Sequence, residues 1–342
     1  ADIFKSQMYD FYKSKKEEKD FIERWKNLED ICRDTFKSKT FNPMDELFTR
    51  YMYYRRAKKG NTDSTTISLR KFYEEDKYCI LKNDIILSEL ECLAEFWRDI
   101  FCQNEERFST EILRKLFVLN YAPNGMWTYF VSVYFMSWKD ENNKLYSEKF
   151  EKFLDKTIAF VWAYGIESPG VSSLRTPIYN EMVNIVKKKN ITFEKYKFTR
   201  NVIETNLRNY RFLNSRNITK SMLVWWAFSN EKQEILDINA KYDIEHIYAK
   251  KRYELHGKLD DGNNLEALGN KSLLEKKINI RAADYNFIDK KKYYFNTKIQ
   301  ELSELSCKDD FEEKDIIERN NLIIERFINY LDENDLILSE KN

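Results

Sequence analysis

Residues 243–247 read Asp-Ile-Glu-His-Ile and hold one of only two histidines in the 342-residue chain. His246 can take a proton near neutral pH, because a free imidazole titrates at about 6.5. Glu245 stands beside it. Downstream come Asn264-Leu265-Glu266-Ala267-Leu268-Gly269-Asn270 and then Leu273-Leu274-Glu275-Lys276-Lys277-Ile278-Asn279. A carboxylate and an Asn amide are hard oxygen ligands of the kind Mg²⁺ takes, and a histidine near such an ion can deprotonate water. That set of groups suits metal-assisted hydrolysis of a phosphodiester, with His246 as base and Glu245 and Asn279 as ligands. Asp243 takes a supporting role, since nothing in the spacing requires it at a metal. Each element alone is commonplace: an acid–His pair is usually a surface or core-edge feature, and Gly-Asn is an ordinary turn. The weight lies in their order between residues 243 and 279.

These groups need a scaffold. The run ending at His246 is short and branched enough for a strand, and strand alternation would send Glu245 and His246 to opposite faces unless the strand breaks between them. Asn270 is suited to fix the loop carrying His246 through side-chain to backbone bonds, and Asn279 falls on a following helix. Gly257, Gly262 and Gly269 cluster after His246, so regular helix gives way to turns there. Elsewhere the apolar period is helical, and 7 Gly and 4 Pro in the whole chain agree. Phe21, Ile22, Trp25, Leu28, Ile31 and Cys32 form one stripe. Leu87, Leu90, Leu93, Phe96, Trp97 and Ile100 form another, and Phe150, Phe153, Leu154, Ile158, Val161 and Tyr164 a third. Phe327, Tyr330 and Leu331 suggest a closing helix. Loops are expected at 58–66, 139–145 and 166–174. The resulting division is a helical domain at 1–235, a small mixed unit at 236–300 and a helical tail at 301–342.

The formal net charge is +1, which by itself argues for no particular partner. Its distribution is uneven. Residues 241–300 carry 13 Lys+Arg against 9 Asp+Glu, whereas 301–342 carry 5 against 13. Lys276, Lys277, Arg281, Lys290, Lys291 and Lys292 are candidate phosphate contacts. Residues 187–220 hold ten Lys+Arg against two acids, interleaved with Phe193, Tyr196, Phe198, Tyr210 and Phe212. That pattern fits a DNA groove, or equally basic helix faces with aromatics turned inward. His256 lies between charged residues, either solvated or touching DNA. The five cysteines are widely spaced with no Cys-x-x-C pair, which fits thiols in a reducing cytoplasm better than disulfides or structural zinc. Met126–Trp138, the most apolar stretch, is too short to span a bilayer and reads as a buried helix.

The order acid–His, Gly-Asn, Asn resembles that of HNH (ββα-metal) nucleases, in which the strand breaks so that acid and histidine reach one site. More specifically, the strings YDIEHIYAK (242–250), NNLEALGNKSLLEKKIN (263–279) and FIDKKKYY (287–294) resemble the C-terminal HNH domain of GmrSD-type modification-dependent (type IV) restriction and anti-phage proteins. The resemblance implies a mainly α protein in which a large helical domain carries a small ββα-metal unit and a C-terminal helix. It implies a bacterial DNA endonuclease using Mg²⁺ or Mn²⁺, with Asn270 joining His246 in the catalytic set and phage or modified DNA as substrate. Ala1-Asp2-Ile3-Phe4-Lys5-Ser6 resembles the end of the ParB-like NTPase domain of the same proteins, whose nucleotide motif is absent. The expected partner is therefore that sensor, as a missing domain or a separate subunit. The family often follows Glu-His-Ile with Pro-Gln, and here Tyr248-Ala249-Lys250 stands instead. The alternative is a non-catalytic DNA-binding or partner-docking module with a degenerate nuclease core.

Overall fold

The computed structural model describes residues 1–37, 42–256, 259–283 and 285–339, with only the backbone of His256. The chain is mainly helical. In order come α1 (Asp2–Ser14), α2 (Glu18–Thr35), α3 (Pro43–Lys58), α4 (Leu69–Glu74), α5 (Asp84–Phe101), α6 (Thr110–Leu119), α7 (Met126–Trp138), α8 (Ser147–Glu167), α9 (Val171–Val186), α10 (Arg200–Asn209) and α11 (Asn217–Phe228). Then follow β1 (Tyr242–His246), α12 (Lys250–His256), β2 (Lys271–Glu275), α13 (Lys276–Ala282), α14 (Phe287–Tyr294), α15 (Gln300–Leu305) and α16 (Glu313–Glu333).

Local chemistry sets many of these boundaries. Asn42 caps α3 by accepting from the Met44 N–H at 2.9 Å, with Pro43 at the first helical position. Asn83 caps α5 through the Ile85 N–H at 3.0 Å. Glu312 and Asp315 form a reciprocal capping box on α16. Between α8 and α9 only residues 168–170 are non-helical, a shorter break than 166–174, and Gly170 turns the chain there at φ +133°.

Residues 1–109, 125–150 and 171–191 form one compact unit; residues 110–124, 151–170 and 192–342 form a second. In the first, α7 packs against α3, α5 and α9, and α2 against α3 and α5. Its core is aromatic: Phe96 stacks on Phe135 at 3.9 Å, and Phe4, Phe48 and Tyr73 crowd together. Helix α7 is buried along nearly its whole length, and no helix among the described residues is long and apolar enough to cross a membrane. Stripe positions are buried with two exceptions: Ile22 is exposed and Tyr164 partly so. Ile22 lies one residue, about 100° of helix rotation, beyond the Phe21–Trp25–Leu28–Cys32 line.

The second unit contains the 236–300 segment, the 301–342 tail and helices from the first 235 residues. β1 and β2 pair antiparallel in register Tyr242↔Glu275 to His246↔Lys271, and α13 leaves β2 directly. The sheet packs on α11 and α13. Helix α16 lies against the turn at Leu268–Asn270, so closely that a Cβ on Gly269 would overlap the Ile316 carbonyl oxygen. Glycine at 269 is thus required by close approach.

Candidate active site

Regular pairing continues through Glu245↔Ser272 and His246↔Lys271, so the strand ends after His246 and not before it. The expected break between the two residues is corrected. Alternation therefore puts their side chains on opposite faces, and their partners differ accordingly. Glu245 accepts from the Lys290 ammonium at 2.8 Å and from the Tyr294 hydroxyl at 2.5 Å. The Lys290 and Glu245 side chains are 1% and 4% exposed. Lys290 also donates to the His246 carbonyl at 2.6 Å. An ammonium spent on a buried carboxylate and a carbonyl cannot also serve as a surface phosphate contact, so Lys290 stands apart from that expectation. Asp243 shares the strand face of Glu245, away from His246.

His246 looks toward Glu266. Its Nε2 lies 3.7 Å from Glu266 Oε1, and the His246 and Glu266 side chains are 11% and 15% exposed. At 3.7 Å this is an approach and not a hydrogen bond, and Nε2 is buried without a hydrogen-bond partner. Lys250 reaches the same carboxylate oxygen at 2.9 Å, and the fully buried Lys271 holds the other. Lys271 is anchored in turn by the Phe212 carbonyl and by Asn214 Oδ1 at 2.9 Å. Burial pushes the proton affinity of His246 down, with Lys271 and Lys250 adding to the effect and Glu266 opposing it. Burial would raise the Glu266 carboxyl, but the nearby His246 imidazole and the Lys271 and Lys250 ammonium groups outweigh it and hold the group well below the usual carboxylate range. Lys271 is itself lowered by burial, against Glu266. Burial thus favours the neutral imidazole, and the lysines favour the ionised form of the carboxylate it faces.

Asn270 fixes the chain just past His246. It is fully buried, accepts from the Tyr248 N–H at 2.7 Å, and donates to the Tyr248 and Leu265 carbonyls at 3.1 and 3.0 Å. Its own carbonyl accepts from the Ile247 N–H at 2.9 Å. Arg319 of α16 closes the turn from behind, donating to the carbonyls of Leu268, Gly269 and Lys271 at 2.8–2.9 Å and to Glu301 at 2.6 Å.

Asn279 lies half-buried on α13, which packs on both strands. Lys276, Lys277 and Arg281 of the same helix are exposed. Lys291 donates to the Lys308 carbonyl at 2.9 Å, and Lys292 pairs with Asp289 at 3.2 Å. In the basic 187–220 run, Phe193, Phe198 and Phe212 are buried and Tyr196 and Tyr210 partly so, which favours aromatics turned inward. His256 ends α12, and its side chain, like Gly257, lies outside the described residues.

Residues 185–326 match the family model of the GmrSD restriction endonucleases, C-terminal domain. This segment is similar to the C-terminal region of GmrSD-type proteins. The comparison with curated proteins returned no match. The GmrSD-type region holds every site residue named above and ends within α16, after Arg319. Sequence reasoning missed Glu266, Lys250 and Lys271 as neighbours of His246. Glu266 stands inside the Asn-Leu-Glu-Ala-Leu-Gly-Asn string, but no spacing rule links it to a histidine twenty positions earlier across an irregular loop.

Among the described residues no group of three or more His, Cys, Asp or Glu side chains is placed to hold a metal ion. The two carboxylates flanking His246 are each engaged by lysine ammonium groups.

Proposed function

We propose that the GmrSD-type region is a metal-dependent DNA endonuclease of the HNH kind, with His246 as general base. The observation that carries this reading is the setting of His246: a largely buried imidazole at the end of a strand, its following backbone clamped by Asn270. The strand–strand–helix order of β1, β2 and α13 supports the same reading. In the reaction His246 accepts a proton from water as the water oxygen bonds to phosphorus, and the P–O3′ bond breaks on the opposite side. Asn270 acts by holding the His246 segment. Lys276, Lys277 and Arg281, exposed on α13, are the proposed phosphate contacts.

Mg²⁺ or Mn²⁺ is the proposed cofactor, with Asn279 and Glu245 as oxygen ligands. For Glu245 that role requires the carboxylate to exchange the Lys290 ammonium for the ion. A bound ion would supply charge stabilisation at the phosphate and the leaving oxygen. The proposed biological setting is anti-phage restriction, acting on modified DNA together with a ParB-like NTPase sensor.

The test is a plasmid-nicking assay with Mg²⁺ or Mn²⁺ on wild type and His246→Ala. Cutting by wild type only is expected; equal, robust cutting by both removes His246 as base. A non-catalytic DNA-binding module is the second reading, favoured by the lysines that occupy both carboxylates. Salt-sensitive DNA binding with no cleavage at any metal concentration, with and without the sensor, selects it.

A further inference from the structure

We propose that Glu266 is a positioning residue for His246, holding the imidazole by its buried Nε2–H so that Nδ1 is the proton acceptor. The inference rests on the reading of His246 as the base and names the group that orients it. Three observations carry it. First, Nε2 is buried and without a hydrogen-bond partner, and a carboxylate oxygen lies 3.7 Å away. An orienting contact of this kind is often long in a free enzyme and tightens when substrate fills the site. Second, Glu266 is itself fixed from both sides, by Lys250 at 2.9 Å on one oxygen and by Lys271 on the other. Third, Lys271 pairs with His246 across the sheet and is anchored by the Phe212 carbonyl and Asn214. Strand register, loop and carboxylate are thus one connected unit.

The carboxylate next to His246 in sequence is engaged elsewhere. Glu245 points to the other face and is held by Lys290 and Tyr294, and Lys290 meets His246 only at its carbonyl. Glu266 is therefore the carboxylate placed to select the imidazole tautomer. An imidazole with Nε2–H facing a carboxylate keeps a lone pair on Nδ1, and the proton of the attacking water passes to that atom. The tautomer with Nδ1–H would present no acceptor there and would set the Nε2 lone pair against a carboxylate.

The test reads the tautomer directly. Nitrogen-15 spectra of the full chain at neutral pH, without metal or DNA, report which ring nitrogen carries hydrogen. With only two histidines in the chain, a His256→Gln variant assigns the signals. Wild type is expected to show the Nε2–H form and Glu266→Gln a mixture of both forms, with a fall in kcat of about 10- to 100-fold and little change in KM. Should Glu266→Gln not fold, because it leaves the Lys271 ammonium buried, the Glu266→Gln/Lys271→Met double variant removes both and is expected to give the same mixture. Retention of the wild-type tautomer in whichever of these variants folds overturns the proposal. The spectra need no cleavage, so a wild type that fails to cut DNA at any metal concentration, with and without the sensor, sinks the nuclease reading while leaving the Glu266 contact separately measurable.

Discussion

At the scale of the residue, His246 and Glu245 are neighbours in sequence with opposite electrostatic tasks. Burial lowers the proton affinity of His246 below its value in an unfolded chain. The unfolded state therefore binds a proton first as pH falls below about 6.5, and the native state loses stability over that window, down to the lowered native value. Urea unfolding at pH 7.5 and 5.5 is expected to show a larger loss for wild type than for His246→Gln. Equal losses would show that the imidazole is not held neutral. Glu245 and Lys290 are a buried pair, and breaking such a pair leaves an uncompensated charge. Lys290→Ala is expected to cost about 3–5 kcal/mol in urea unfolding, whereas Glu245→Leu/Lys290→Met should be close to neutral. A cost for the single variant within the range of a surface substitution would mean that water reaches the carboxylate.

At the scale of the element, the turn between β1 and β2 decides whether His246 is held in place. Gly269→Ala would drive a methyl group into the Ile316 carbonyl and Asn320, and either α16 or the turn must move. The Asn270 bonds to Tyr248 and Leu265 and the Arg319 bonds to three carbonyls would then be disrupted together. A loss of at least about 2 kcal/mol is expected, within the range for overpacking plus broken buried hydrogen bonds. Thermal unfolding followed by circular dichroism measures it, and a melt matching wild type would show that the turn has slack. Much of this element was legible in sequence. The branched run before His246 is a strand, and the glycine-rich stretch is irregular. Asn270 makes the side-chain to backbone bonds that such a residue beside a turn can make. The strand geometry at the acid–His pair was not legible: the resemblance implies a break after Glu245, while ladder pairing to Ser272 and Lys271 keeps the strand regular through His246.

At the scale of the whole molecule, a near-zero net charge leaves nucleic-acid binding to local patches. Changing Lys276, Lys277 and Arg281 together to Gln is expected to weaken DNA binding uniformly across sequences. It should also flatten the slope of log affinity against log salt by about 0.9 for each phosphate that the variant no longer neutralises. Fluorescence anisotropy with a duplex over a range of salt concentrations measures this, and an unchanged slope would place the phosphate-binding residues elsewhere. The helical scaffold and its aromatic core were legible because a 3.6-residue period records which face is buried, and Leu87, Leu90, Leu93, Phe96, Trp97 and Ile100 are all buried.

The sequence by itself determined a mainly helical chain, a strand ending at His246 and the ordered groups that resemble a GmrSD-type C-terminal region. Those features depend on neighbours in the chain, on residue type and on period. Only the tertiary structure decided the partner of each charge. It turned Lys290 inward to Glu245, and it brought Glu266 to His246 with Lys250 and Lys271 around the carboxylate. A charged side chain in sequence carries no mark of whether burial will desolvate it or which opposite charge will meet it. That depends on how the loop folds back and where α14 docks.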